Sequence, residues 1–198
     1  ESMSYEDMAK DLLLFCNSQK ISKTIIIGHS MGGKTAMKFS LLFPEKVEKL
    51  IVVDIAPKMY YPDFKNIIDG YKNLDLDSFR SRSEIDNVYK IFVRDNFLRS
   101  FLMKNIYRDK GGKFKLRINL QVLEKKILEI GSFNHENLFF DKSTSFIKGS
   151  KSDYILEKDE NLIKKCFPKY SLHEVHDAGH WVHYDKPEIF EKLVKSLI

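Results

Sequence analysis

The chain has only two cysteines in 198 residues, Cys16 and Cys166. Two thiols make no disulfide framework, and neither stands in a pair at metal-ligand spacing. Cys16 follows an apolar helical stripe and reads as a small core residue. Such thiols fit a reducing compartment, the cytoplasm or an organellar matrix. Long apolar runs are also missing. None approaches the roughly 20 residues that a membrane span needs, so stable membrane insertion is not expected. No secretory leader is visible, although the sequence opens on Glu1 rather than Met. Charge of one sign is not concentrated either: 33 Lys and Arg stand against 28 Asp and Glu, and the basic residues are spread along the chain. This describes a solvated, lysine-rich surface and argues against a nucleic-acid partner. The "KGGKFKLR" run is too short to change that. What remains, 43% apolar and 31% charged residues, is ordinary for a globular protein with a sizeable core.

Ser4-Tyr5-Glu6-Asp7 has the S-x-x-D form of a capping box. Tyr5, Met8, Leu12 and Phe15 recur behind it at helical spacing, so residues 5–18 read as an amphipathic helix. Residues 24–27 are a short buried strand. A helix runs from about residue 31 to 43 and stops at Pro44, and residues 50–53 form a second buried strand closing on Asp54. Helix, strand, helix, strand is the order of a parallel sheet with crossover helices. The order breaks over residues 58–142, which are aromatic-rich and mostly helical, with a hairpin signal at Gly111-Gly112. It resumes with a strand at 144–150, a helix over "LIKKCF", a strand and loop in "YSLHEVHDAGH", and a closing helix at 187–198 with Pro187 in its first turn. The chain therefore reads as an α/β core, residues 1–57 and 143–198, carrying an inserted helical cap at 58–142. Insertions of that length tend to cover the ligand site as a lid.

The stretch "TIIIGHSMGGKTAM", residues 24–37, satisfies two patterns at once. Gly28-His29-Ser30-Met31-Gly32 is G-x-S-x-G, a strand-to-helix elbow that presents a nucleophilic serine. Gly28 to Thr35 is G-x-x-x-x-G-K-T, a loop that wraps nucleotide phosphates, and the apolar strand ending in Asp54 resembles one that holds Mg²⁺. A serine hydroxyl is a poor nucleophile until a histidine takes its proton and a carboxylate orients that histidine. His180, in "DAGHW", stands in the loop before the last helix, where the serine chemistry needs it and a phosphate loop does not. The elbow also wants small residues two before and two after the serine, which Gly28 and Gly32 supply, and Gly33 lets the next helix approach the sheet. The Met31 N–H then becomes one oxyanion donor. On this reading the Gly-Lys-Thr ending is helix-start packing plus a solvated Lys34.

Two strand ends compete to supply the acid. Three residues beyond Gly149 stands Ser152, which cannot serve. Asp153 is one further on and points differently. Asp54 closes the strand expected beside the elbow strand, and is favoured over Asp153. Four of the six histidines, His173, His176, His180 and His183, fall close together. Along a strand His173 and His176 face opposite ways. No carboxylate or cysteine completes a zinc-like set with them, so no metal is expected. His183 reads as structural, packed near Trp181 and the elbow.

With these residues placed, "GHSMGGKTAM", "VVDIAP" and "AGHWVHYDKPE" resemble the α/β-hydrolase superfamily, and within it small bacterial acyl-ester and acyl-CoA esterases and their mitochondrial abhydrolase-domain relatives. The resemblance runs from the first helix to the last. It implies the α/β-hydrolase fold and hydrolysis of carboxylic esters or thioesters without a cofactor. It also implies Ser30 as nucleophile and His180 as base. Members of this group share the "VVDIAP" aspartate and lack the later one, which supports Asp54. A cap-side aspartate proposed in some members corresponds to Gln121 here. The family's first strands, and the loop with a second oxyanion donor, are expected to be missing ahead of residue 1. On that expectation residues 25–27 become an open apolar edge, and one lost oxyanion donor costs roughly 2.7–4 kcal/mol. The expected partner is a small-molecule acyl ester or thioester. Tyr60, Tyr61, Phe64, Phe92, Phe97, Phe101 and Phe139 lie near enough in sequence to shape an apolar acyl pocket. Two other functions compete: nucleotide binding through residues 28–35, and a non-catalytic α/β-hydrolase-like binding protein.

Overall fold

The computed structural model of the chain describes residues 2–61 and 64–198. In chain order the elements are α1 (Tyr5–Ser18), β1 (Thr24–His29), α2 (Met31–Leu42), β2 (Val47–Val53), α3 (Lys65–Lys72), α4 (Arg82–Tyr89), α5 (Asn96–Leu102), β3 (Ile106–Arg108), β4 (Phe114–Leu116), α6 (Leu120–Gly131), β5 (Thr144–Gly149), α7 (Glu160–Cys166), β6 (Tyr170–Val175), α8 (Val182–Asp185) and α9 (Pro187–Leu197). Two compact units emerge, one of residues 61–128 and one of residues 2–60 with 129–198.

The discontinuous unit is built on a parallel sheet of order β1-β2-β5-β6. Its local signals behave as the sequence requires. Ser4 Oγ accepts from the Asp7 N–H at 3.2 Å and caps α1, and Pro187 opens α9. β2 shows why the sheet carries helices on both faces. Leu50 and Val52 join a core with Ala36, Met37, Phe39, Phe146 and Phe167, whereas Ile51 and Val53 join Ile147, Val175 and Val182 beneath Phe190 and Leu193 of α9. Each such side chain withdrawn from water contributes roughly 1.5–3 kcal/mol. Cys16 and Cys166 are buried and free. β1 lies at the edge of the described sheet, with Ile27 47% exposed.

The other unit has its own core of Tyr71, Leu74, Ile85, Tyr89, Val93, Leu102, Met103, Ile106 and Phe114. The hairpin signalled by Gly111-Gly112 is the antiparallel pair β3–β4. The buried Arg99 guanidinium ties this unit together, bonding Asp86 at 2.9 Å and the Val93 carbonyl at 3.0 Å.

Lys34 corrects the sequence reading: it is not solvated but 2% exposed. Its position on α2 turns it inward, and its Nζ donates to the carbonyls of Gly131 (2.7 Å) and Ser132 (3.1 Å). The rings of Tyr60 and Tyr5 lie 4.7 and 5.5 Å from the ammonium. One turn on, Lys38 is equally buried and reaches the Asn134 carbonyl at 2.7 Å and Glu6 at 2.5 Å. A single-sequence reading assigns lysines to solvent by default. Here the end of α6 and the segment after it offer carbonyls that need donors, and two long cationic side chains supply them.

Burial pushes the Lys34 ammonium down to about 8, with repulsion from Lys58 added. Two outcomes are expected. Lys34→Ala loses both hydrogen bonds and leaves a void, and should cost about 2–4 kcal/mol in urea unfolding, with Lys34→Met costing less. Between pH 8 and 10.5 the unfolded chain still binds a proton at this lysine that the folded chain has released. Wild-type stability should therefore rise with pH across that window relative to Lys34→Met, and chemical denaturation at stepped pH reads it.

Candidate active site

The C-terminal ends of the four parallel strands carry every group of interest, as open α/β sheets favour. β1 ends on His29 and turns at once into α2 through Ser30, whose φ of 52° and ψ of −121° lie outside the common regions for an L-residue. Holding such a residue costs of order 1–3 kcal/mol. Neighbouring bonds fix it: the Ser30 N–H continues the ladder onto the Val53 carbonyl at 3.0 Å, and the Ser30 carbonyl accepts from the Lys34 N–H at 3.1 Å. Gly28 makes the turn sterically possible, since a Cβ there would lie 2.3 Å from the Gly32 carbonyl oxygen. Gly33 lets α2 seat against β2, since a Cβ would meet Ile55 at 2.6 Å. Gly32 differs from expectation: a Cβ would meet nothing within 4 Å. The tight approach is made by the backbone of Gly32 toward Gly28, so the steric demand falls on Gly28 and Gly33.

β2 ends in Asp54, also at positive φ (53°) and fully buried. Its Oδ1 accepts from the Gly149 N–H at 3.0 Å, and its Oδ2 accepts from Ser152 Oγ and lies 2.7 Å from His180 Nδ1. The other imidazole nitrogen, Nε2, lies 3.0 Å from Ser30 Oγ. Ser30, His180 and Asp54 are thus brought into one continuous relay. Asp153 is exposed, and Asp54 is the carboxylate that meets the imidazole. Met31 begins α2 directly after the serine. Its N–H belongs to the first turn, where helix geometry supplies no acceptor within the helix.

Three residues at the site escaped the sequence reading. Ser152 cannot act as an acid, yet it donates to the Asp54 carboxylate. Tyr154 stacks on His180, with ring centroids 3.8 Å apart and planes 16° apart. His29, the variable residue of the elbow, sits 2.8 Å through Nε2 from the His180 carbonyl, where it donates as the Nε2–H tautomer. Burial pushes the His29 imidazole down to about 4, which keeps it neutral at ordinary pH. His183 packs 4.8 Å from His29 and 6.0 Å from Trp181. The only available signal for Ser152 and Tyr154 was their place just beyond the Gly149 strand end.

The aromatic residues assigned to an acyl pocket belong to both units. Tyr60 stacks on Tyr154 at 5.4 Å. Phe92 packs against the core of the 61–128 unit. Tyr61 and Phe139 are exposed, at 83% and 61%. Gln121 is exposed as well. The phosphate-loop reading loses its lysine, because Lys34 is committed to the Gly131 and Ser132 carbonyls. Among the described residues no cluster of three or more His, Cys, Asp or Glu is placed to hold a metal ion, and no helix is long and apolar enough to cross a membrane.

The chain is similar to known proteins. An abhydrolase domain-containing protein of Schizosaccharomyces pombe is 36% identical over 99% of this chain and 74% of its own length. The sn-1-specific diacylglycerol lipase of Mus musculus is 33% identical over 98% of this chain and 65% of its own length. Among solved structures, a marine microorganism esterase superposes with a TM-score of 0.94 at 40% identity, covering 100% of this chain and 78% of that one. The chain thus spans about two thirds to three quarters of the length of these relatives. Residues 1–187 match the alpha/beta hydrolase fold family, and with these identities the chain belongs to it.

Proposed function

We propose that the chain is a serine hydrolase of carboxylic esters or thioesters, with Ser30 as nucleophile, His180 as general base and then acid, and Asp54 orienting His180. The observation that carries the reading is the relay from Ser30 Oγ through His180 to Asp54, at 3.0 and 2.7 Å. The esterase and lipase names among the relatives point the same way.

In the first step Ser30 Oγ bonds to the acyl carbonyl carbon while its proton passes to His180 Nε2. The carbonyl oxygen becomes an oxyanion facing the Met31 N–H, at the positive end of α2. Collapse breaks the bond to the leaving group, and His180 returns the proton to that alcohol or thiol. Water then enters, gives its proton to His180 and its oxygen to the acyl carbon, and Ser30 leaves with the proton. Asp54 stabilises the imidazolium in both halves without taking the proton itself. No cofactor is needed for either half. We assign residues 61–128 as the cap. The insertion departs after Asp54 and returns before β5, between two strands whose ends carry the site. The substrate class is a small-molecule acyl ester or thioester.

Three outcomes test this. A fluorophosphonate probe should label Ser30 in the wild type and not in Ser30→Ala, and hydrolysis of a panel of p-nitrophenyl esters and acyl-CoA thioesters should disappear in that variant. Hydrolysis that survives Ser30→Ala would remove the mechanism, and absence of hydrolysis in the wild type would favour a non-catalytic binder. Asp54→Asn should lower kcat by about 10³–10⁴ through the wrong imidazole tautomer, while Asp153→Asn should stay within about twofold, as exposed substitutions do.

A further inference from the structure

Tyr154 is not part of the relay, yet its ring lies closer to His180 than those of His29 and Trp181. Its centroid is 3.8 Å from that of the imidazole and the planes differ by 16°. Neutral aromatic rings favour offset or edge-to-face pairing at centroid separations of about 4.5–7 Å. The other rings around His180 follow that habit: His29 lies at 4.6 Å and 42°, and Trp181 at 6.0 Å and 69°. A nearly parallel ring at 3.8 Å instead suits a cation resting on a π face. Hydrolysis turns His180 into that cation, once for each half-reaction.

We propose that Tyr154 is a positioning residue for His180: its ring fixes the imidazole plane on the line from Ser30 to Asp54, and its π face favours the imidazolium over the neutral ring. This rests on the serine-hydrolase reading above. The way Tyr154 is held supports it. Its N–H donates to Ser152 Oγ at 3.3 Å, and that hydroxyl donates in turn to Asp54. Its carbonyl accepts from Tyr60 Oη at 2.5 Å, and Tyr60 Oη in turn accepts from the Ala56 N–H at 2.8 Å. The Tyr60 ring stacks on Tyr154 at 5.4 Å, with the ammonium groups of Lys34 and Lys58 4.7 and 5.0 Å from its centroid. One short loop therefore sets both the acid's hydroxyl donor and the ring over the base. The loop is clamped from the β2 side by Tyr60.

The titratable groups facing His180 are Asp54 from the end of β2, His29 from the end of β1, Tyr154 from the loop after β5 and His183 from α8. Of the rings of Tyr154, His29 and Trp181, that of Tyr154 presents its face in near-parallel contact. Removing that face while keeping the pocket dry should therefore weaken the protonated imidazole relative to the neutral one.

The test uses the full chain with Tyr154→Phe, Tyr154→Leu and Tyr154→Met, each normalised by fluorophosphonate titration of Ser30. Tyr154→Phe keeps the face and should remain within about twofold of wild type. Tyr154→Leu should lose about tenfold in kcat per titrated site, with KM within about twofold, and the acid limb of its kcat/KM profile should move to lower pH. Tyr154→Met fills the same space with an unbranched chain and should reproduce those changes if the leucine variant fails to fold. A loss of titratable sites without change in kcat per site or in the acid limb would mean that the ring only supports folding, and would overturn the proposal. So would a phenylalanine variant as impaired as the leucine one, since the hydroxyl would then be the active part. A wild type that neither takes the probe nor hydrolyses any ester would overturn the serine-hydrolase reading itself, a result distinct from either.

Discussion

Asp54 carries a carboxylate that water does not reach, and much of the surrounding architecture follows from keeping it satisfied. A buried carboxylate is tolerated only when donors surround it. Three do: the Gly149 N–H, the Ser152 hydroxyl and His180 Nδ1. They come from the end of β5 and from the loop after β6, so the register of β2, β5 and β6 must hold for the charge to survive. Gly149 also allows the loop after β6 to approach closely. A side chain there would begin 2.3 Å from the Gly179 carbonyl and 2.4 Å from that of Ala178, directly before His180.

The second constraint is the strained serine. Ser30 keeps its positive φ because both flanks are fixed. β1 is bonded to β2 along its length, and α2 is fastened at its other side by Lys34 and Lys38 to the carbonyls of residues 131, 132 and 134. These lysines add to the buried apolar residues of the helix, and they also satisfy backbone carbonyls at and just beyond the end of α6. The same residue that made the sequence resemble a phosphate loop thus braces the serine elbow.

The relay and the ring stack share one economy of construction. The loop of residues 152–154 lies one turn past a strand end, and it supplies a donor to the acid and a face to the base. A chain whose proposed acid follows β2 leaves the end of β5 free for such supporting groups. The position that cannot furnish a carboxylate furnishes a hydroxyl instead.

How much of this was legible in the sequence depends on how local each cause is. The elements around the sheet were readable because capping, β-branched runs and terminal prolines act within a few residues: Ser4 before α1, residues 24–27, Pro44 and Pro187. The elbow pattern, the choice of Asp54 over Asp153 and the placing of His180 rested on motif order along the chain. Long-range satisfaction was not readable. Lys34 looks like a surface lysine until the carbonyls of residues 131 and 132 are brought to it, 97 and 98 positions away. Gly32 looks required until its empty surroundings are seen, and Tyr154 looks like any loop tyrosine until His180 folds onto its face. By itself the sequence determined the order of elements and the candidates for the reactive groups, because local propensity and covalent spacing are written in it. Only the tertiary structure decided which groups meet, because a hydrogen bond or a ring stack between distant residues depends on the packing that brings them within about 3–4 Å.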